Sequence, residues 1–369
     1  LSPNTKVFAG GADNACGAVG AGILQDGLTL CSIGTSGVIL TYQQGESVSQ
    51  EELCEQFDDD RPDIWGYPGN IHYFNHAKEA AYYAMGVTLS AGRSLSWYKQ
   101  HFAPDVSYEQ LFAEAKQVPP GARGLLFAPY LAGERTPHGA AFIRGSFIGV
   151  DASHTRAEFT AAVLEGITYS LLQSVEIFRE AGRPADTIIS IGGGARSDAW
   201  LQMQADIFSA KVVKLKSEQG PGMGAAMLAA YGCGWFESLD QCANAFIQHA
   251  EVFEPRPAHS EAHLKAYRIY KEIYGQTKVW NERVHELRKE WGECVLCGCR
   301  AVFFCMKLLR TSTQTNCTRL TARMLQLDEN VVPKYLYNSF QSYIIIMISS
   351  LFKSDLFRRF QFERHSEMV

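Results

Sequence analysis

Along the first three quarters of the chain, strand-like and helix-like hydrophobic periods alternate, the pattern of α/β layering. Ala15, Ala18 and Gly22 recur at helical spacing behind Gly10, Gly11 and Asp13. That spacing predicts a helix of small residues with Asp13 in its N-cap region, where the helix dipole favours an ionised carboxylate. Residues 30–33 and 38–42 are β-branched and apolar around a glycine-bounded break at 34–37, which predicts strand, turn and strand. The polar, acidic stretch 43–63 reads as loop. Met85, Leu89 and Leu95 predict a helix over 84–101, closed by Pro104, and a second helix over 107–117 is stopped by Pro119 and Pro120.

From Leu125 a buried strand leads into a loop holding Glu134, Arg135 and His138. Ser153 or Thr155 can cap the long helix that follows, Glu158 supplies the third position of a capping box, and Gly182 ends it. Its stripe of Phe159, Val163, Ile167, Leu171 and Val175 predicts packing on a sheet. A strand over 187–191, a glycine turn at 192–194, a helix over 198–209 and a strand over 212–215 make a βαβ unit. A small-residue helix within 218–234 and helices at 238–249 and 260–274 complete this body.

Composition adds a boundary. The 369 residues allow two or three domains, and 46% hydrophobic with 20% charged is ordinary for a globular protein. A net charge of −5 gives no electrostatic reason to expect nucleic acid as a partner. Up to residue 280 the chain carries −9 and beyond it +4, and the tail holds two of the 32 glycines but five of the ten cysteines. The chain thus divides into two regions: 1–280, and a tail of different character over 281–369, expected to be poorly ordered or unrelated to the body. Cys294, Cys297 and Cys299 lack the paired partners of a tetrahedral metal site, and the apolar run at 343–352 is too short to span a bilayer, so no membrane partner is expected. The run is instead of aggregation-prone strand type. The other cysteines, Cys16, Cys31, Cys54, Cys233 and Cys242, have no disulfide-framework spacing, which fits a reducing, cytoplasmic setting.

Three stretches carry candidate chemistry. Asp13 stands just ahead of the turn of Gly34, Thr35, Ser36 and Gly37, whose glycines let backbone approach a phosphate and whose hydroxyls add donors. The glycine turn at 192–194 sits at the C-terminal end of a strand, where open α/β folds bind nucleotides. Its sequence is neither the GxGxxG dinucleotide pattern nor a P-loop with its lysine, so neither an NAD nor a Walker site is supported. His72 and His76 sit in a mixed stretch and are left outside the site.

GGADNACGAVGAGIL at 10–24 followed by LCSIGTSGVIL at 30–40 resembles the start of the second lobe of the FGGY carbohydrate kinases, most specifically the xylulokinase branch. LLFAPYLAGERTPHG at 125–139 and the segment 145–182 are similar to further segments of that family, and the resemblance fades near Lys278. It implies a ribonuclease-H-like, actin-like ATPase lobe of the hexokinase, actin and Hsp70 type. It also implies transfer of the γ-phosphoryl of ATP, with Mg²⁺, to the C5 hydroxyl of D-xylulose. Asp13 would be the catalytic base, and Gly34, Thr35, Ser36 and Gly37 would hold the phosphates. Gly193, Gly194, Ala195, Ser197 and Asp198 would meet the adenine and ribose, and Arg135 would lie at the periphery of the sugar site. No direct protein metal ligand is assigned.

The family's first lobe, with much of the sugar pocket, should precede Leu1. The chain is therefore expected to be the second half of a kinase that binds ATP weakly and turns over little unless a matching N-terminal lobe is supplied; a separate N-terminal lobe or a homodimer is the expected protein partner. Another FGGY sugar kinase, acting on gluconate, glycerol or another pentulose, and a non-catalytic nucleotide-binding half-kinase are the alternatives.

Overall fold

The computed structural model describes residues 5–45, 70–217 and 220–290. The chain divides into two compact units, Leu1–His285 and Glu286–Val369. The first unit holds every described element except the end of the last helix. Most of the acidic loop, Cys54, the cysteines of the tail and the apolar run at 343–352 lie outside the described residues.

The hairpin of β1 (Leu28–Ile33) and β2 (Gly37–Gln44) sits at the middle of a seven-stranded sheet. β3 (His72–Asn75) and β4 (Ala81–Thr88) extend it antiparallel beyond β2. On the other side β1 runs parallel to β7 (Thr187–Gly192), β7 parallel to β8 (Lys211–Leu215), and β9 (His249–Phe253) closes the edge antiparallel to β8. Among the described strands β5 (Leu126–Ala128) and β6 (Ser146–Ile148) stand apart, as a two-stranded sheet.

Successive strand residues point to opposite faces, so each strand feeds two cores. Cys31, Ile33, Ile39, Ala84, Ile188 and Val212 join the larger one. There α4 (Arg156–Glu180) lies buried along most of its length, with α2 (Gly92–Phe102), α3 (Tyr108–Ala115), α5 (Asp198–Phe208) and α8 (Pro257–Tyr270) around it. Leu30, Leu40, Met85, Ile189 and Val213 face the other way, onto Ala15 and Ala18 of α1 (Asp13–Gly20). Behind α1, Val19 and Leu24 pack with Met227 of α6 (Pro221–Gly232) and Leu239 and Cys242 of α7 (Leu239–Phe246). α9 (Ile273–Glu290) is the last described element, and no helix among the described residues is long and apolar enough to cross a membrane.

The long helix starts and stops as its sequence predicts. The Thr155 hydroxyl accepts from Ala157 N, and the Glu158 carboxylate accepts from Thr155 N at 2.9 Å, closing the capping box; Gly182, at φ +74°, follows its end. Ser107, likewise, caps α3 by accepting from Gln110 N.

Three expectations are corrected. The helix expected over 84–101 is β4 followed by α2: Met85 and Leu89 match a helical spacing, but Ala81, Tyr83, Met85 and Val87 alternate onto one face and Ala84 lies on the other, the period of a strand between two partners. The helix expected over 238–249 ends at Phe246, and His249 opens β9, whose mostly exposed edge position leaves little apolar alternation to read. The helix expected over 260–274 is α8, ending at Tyr270, followed by a separate α9 from Ile273. Asp13 stands where expected, in the N-cap region, as the first helical residue after Ala12, its Oδ1 accepting from Asn14 N at 2.8 Å.

α4 and α8 meet through a polar seam inside the larger core. Glu165, 2% exposed, accepts from Gly121 N at 2.9 Å, and Tyr169 Oη lies 3.0 Å from Nδ1 of His263. Burial pushes the Glu165 carboxyl up to about 8 and the His263 imidazole down to about 4, so both shifts favour the neutral forms of these two groups, which lie 3.7 Å apart.

This packing can be tested at two points. A β-carbon at Gly224 of α6 would collide with the carbonyl oxygen of Cys16. Gly224→Ala is expected to push α6 off α1 and lower stability by about 1–3 kcal/mol in denaturant unfolding. Between about pH 4.5 and the raised value of about 8, folded Glu165 keeps a proton that the unfolded chain has lost, so this group's stabilisation falls as pH rises. Relative to Glu165→Gln, the native chain should lose up to about 1.4 kcal/mol per pH unit across that window; parallel pH profiles of the two would contradict it.

Candidate active site

Strands β1 and β7 end level with each other, Ile33 paired with Gly192, and each is followed by a glycine turn at the same edge of the sheet. Between the two turns opens a cavity of about 700 Å³, within the range of about 300–1,000 Å³ usual for small-molecule sites. Gly34 and Thr35 line it from the first turn, and Gly193, Gly194 and Ser197 from the second. The helices add an apolar wall of Tyr108, Phe112 and Trp200, with the Phe112 and Trp200 ring centroids 6.1 Å apart, and the charged residues Arg93, Glu109, Lys116 and Arg196. Five of the expected site residues are thus brought together.

The first turn is held by α2. Ala91 N and Arg93 N donate to the Thr35 carbonyl, both at 3.1 Å, and Gly92 N donates to the Gly34 carbonyl at 2.8 Å. These are donors that a helix start leaves without intrahelical partners, here taken by the turn. The approach is so close that a β-carbon at Gly92 would collide with the Gly34 oxygen. Ser36 is exposed and its carbonyl accepts from Gly34 N, while Gly37 is buried as the first residue of β2; neither lines the cavity.

In the second turn a short 3₁₀ helix over Gly193–Arg196 leads to Ser197, which caps α5 by accepting from Trp200 N at 3.4 Å. The Trp200 indole, buried, donates to Thr168 Oγ1 at 3.1 Å, fixing the cavity's back wall to α4. Ala195 is buried beneath the turn. Asp198 points instead to Lys214 Nζ, 2.7 Å away at the surface.

Asp13 and Arg135 do not line the cavity. Asp13 is exposed at the start of α1, and its charge adds to burial in holding the Tyr83 hydroxyl above its usual range. Arg135 is exposed on a loop pinned to the end of β4: Thr136 N donates to the Val87 carbonyl and Thr136 Oγ1 accepts from Val87 N, both at 3.0 Å. Arg135's positive charge, after burial, helps lower the imidazole of His72. Its neighbour Glu134 is 2% exposed, and burial raises that carboxyl to about 7 against the hydrogen bonds it accepts.

The model of the FGGY family of carbohydrate kinases, C-terminal domain, matches residues 29–233, more than half of the chain and including both glycine turns. The chain belongs to the FGGY carbohydrate kinases. It is 54% identical over 289 residues to the xylulose kinase of Bacillus subtilis, covering 78% of this chain and 54% of that protein. Among solved structures it is similar to the ligand-bound xylulose kinase of Lactobacillus acidophilus (TM-score 0.67, 25% identity, 77% of this chain and 54% of that one). The gluconate kinase of Lactobacillus acidophilus is similar too (TM-score 0.65, 26% identity, 75% and 53%). The chain spans about half the length of the curated relatives it matches. The mixed sheet with helices on both faces is the actin-like ATPase fold of these kinases.

What the sequence did not disclose about this FGGY site is its helical wall. Tyr108 and Phe112 lie on α3 and Lys116 at its C-terminal end, far from both glycine turns in the chain, while Trp200 follows the second turn closely on α5 but reads there as an ordinary buried position of an amphipathic helix. Arg93 sits within the stretch whose spacing suggests one continuous helix. For Glu134 a signal was available, a lone carboxylate after a buried apolar strand.

The two adjacent glycines of the second turn differ in what they tolerate. A β-carbon at Gly194 would stand 2.7 Å from Cδ1 and 2.8 Å from Cβ of Ile33, whereas at Gly193 the nearest atom is the Ile33 oxygen at 3.5 Å. Gly194→Ala is expected to cost about 1–3 kcal/mol and Gly193→Ala to leave stability within about 0.5 kcal/mol. Thermal unfolding of both variants checks the contrast, and equal losses would contradict it.

Proposed function

We propose that this chain is the nucleotide-binding and proton-accepting half of an ATP-dependent xylulose kinase. The observation that carries the reading is the cavity between two glycine turns at the ends of parallel β1 and β7. Identity of up to 54% to proteins named xylulose kinase supports the choice of sugar.

In this reading the adenosine lies against Gly193, Gly194, Ala195, Ser197 and Asp198, with the aromatic wall beside it, and the phosphates reach Gly34, Thr35, Ser36 and Gly37. Phosphoryl transfer needs the donor held in line, its charge neutralised and the attacking hydroxyl relieved of its proton. Asp13 accepts the proton from the C5 hydroxyl of D-xylulose, a role worth about a hundredfold to ten-thousandfold in rate. Arg135 stands at the edge of the sugar site. Among the described residues no three carboxylate, histidine or cysteine groups converge on a metal position. The reading has Mg²⁺ carried on the nucleotide, mostly on phosphate and water oxygens with a carboxylate nearby, as a small hard ion prefers. Four free cysteines among the described residues, Cys16, Cys31 and Cys242 of them buried, support a reducing, cytoplasmic setting.

A second reading has its own support: the gluconate kinase neighbour fits nearly as well as the xylulose kinase one, so the fold does not choose the sugar. The deciding experiment measures ATP-dependent phosphorylation of D-xylulose, with gluconate and glycerol as comparison substrates. The chain is assayed alone, with an added N-terminal xylulose kinase lobe, and as Asp13→Ala. Little turnover alone, turnover on D-xylulose with the added lobe, and a loss of about a hundredfold or more in Asp13→Ala are expected. Robust turnover by the chain alone, or an Asp13→Ala variant as active as the native chain, would overturn the half-kinase reading or the role of Asp13. ATP binding without turnover in any combination would leave a non-catalytic nucleotide-binding lobe, and faster turnover on gluconate or glycerol would change the sugar.

A further inference from the structure

Glu134 lies outside the cavity, yet it is connected to the phosphate turn through a short series of hydrogen bonds. Its Oε1 accepts from Arg135 N at 2.8 Å and from Leu89 N at 3.2 Å. Its Oε2 accepts from Ser170 Oγ at 3.1 Å, and that hydroxyl is 2.7 Å from Thr88 Oγ1. Both ends of the carboxylate thus grip residues 88–89, where β4 leaves the sheet, and Ser170 ties the grip to α4. Two residues beyond Leu89, the N–H groups of Ala91, Gly92 and Arg93 hold the carbonyls of Gly34 and Thr35. Thr88, Ser90 and Ala91 are fully buried, so the intervening segment has little room to absorb a displacement.

We propose that Glu134 is a positioning residue for the nucleotide phosphates: it fixes residues 88–92, and through them the conformation of the turn of Gly34 and Thr35 at the cavity. This rests on the nucleotide reading of the cavity. A carboxylate suits the task because it can accept three donors at once, two backbone N–H groups and a hydroxyl, where a neutral side chain of similar size accepts fewer. Its cost, a charge drawn into the interior, shows in the raised titration of the group.

The test compares native chain, Glu134→Ala and Glu134→Gln for binding of adenosine and of MgATP, together with amide hydrogen exchange. Glu134→Ala should weaken MgATP by about tenfold, the loss of one charge-assisted hydrogen-bond set, and adenosine by less than about twofold. Exchange at Ala91, Gly92 and Arg93 should quicken, while the amides of β7 stay protected and show the fold intact. Glu134→Gln, which keeps an oxygen for Leu89 N and Arg135 N, should restore most of the MgATP affinity. Equal weakening of adenosine and MgATP, unchanged MgATP binding, or unchanged exchange at residues 91–93 would overturn the positioning role. A native chain that binds neither ligand would overturn the nucleotide reading and the phosphate role with it; the exchange result would then separately decide whether Glu134 holds the turn.

Discussion

The parallel pairing of β1 with β7 is the constraint on which the site depends. Parallel strands put their C-terminal ends at the same edge, and the Ile33–Gly192 register makes these two end level. Both chains must leave the sheet side by side, and the space between the two departures becomes the cavity. Close packing there admits only small residues: Gly194 sits against Ile33 with no space for a side chain. The glycines therefore serve two ends, letting the backbones come together and leaving main-chain groups facing the space a ligand would fill.

Around that edge the interior is rich in polar groups that hydrogen bond across elements. Glu134, Ser170 and Thr88 tie the loop after β5 to β4 and α4; Glu165, Tyr169 and His263 tie α4 to α8; Trp200 ties α5 to α4 through Thr168. Helix α4 is common to all three. An apolar helix in its place could pack equally densely, but it would specify the relative placement of the neighbouring elements less narrowly, because hydrogen bonds are directional and dispersion contacts are not.

Much of this architecture was legible from local signals. The capping box of Thr155 and Glu158, the strand-turn-strand around residues 34–37 and the βαβ unit around the triple glycine each rest on residues close in sequence, and each is present. Local signals mislead where two periods coincide. Met85 and Leu89 are four apart, which suits a helix, but Met85 belongs to a strand whose alternation becomes visible only with Tyr83 and Val87 included. β9 escapes detection because an edge strand with exposed residues has no buried stripe to reveal it. Of the site, the turns could be read and the wall could not: Tyr108, Phe112 and Trp200 converge only after α3 and α5 pack on α4.

The two strands that border the sheet among the described residues have a further consequence. β9 is mostly exposed, carries His249 and Glu251, and pairs with β8 through a register shift at Lys214 and Leu215; β3, at the opposite end, is only four residues long. A short strand at one border and a charged, irregular one at the other are poor templates for the backbone of another chain. Growth of the sheet by strand addition is therefore disfavoured in this fold.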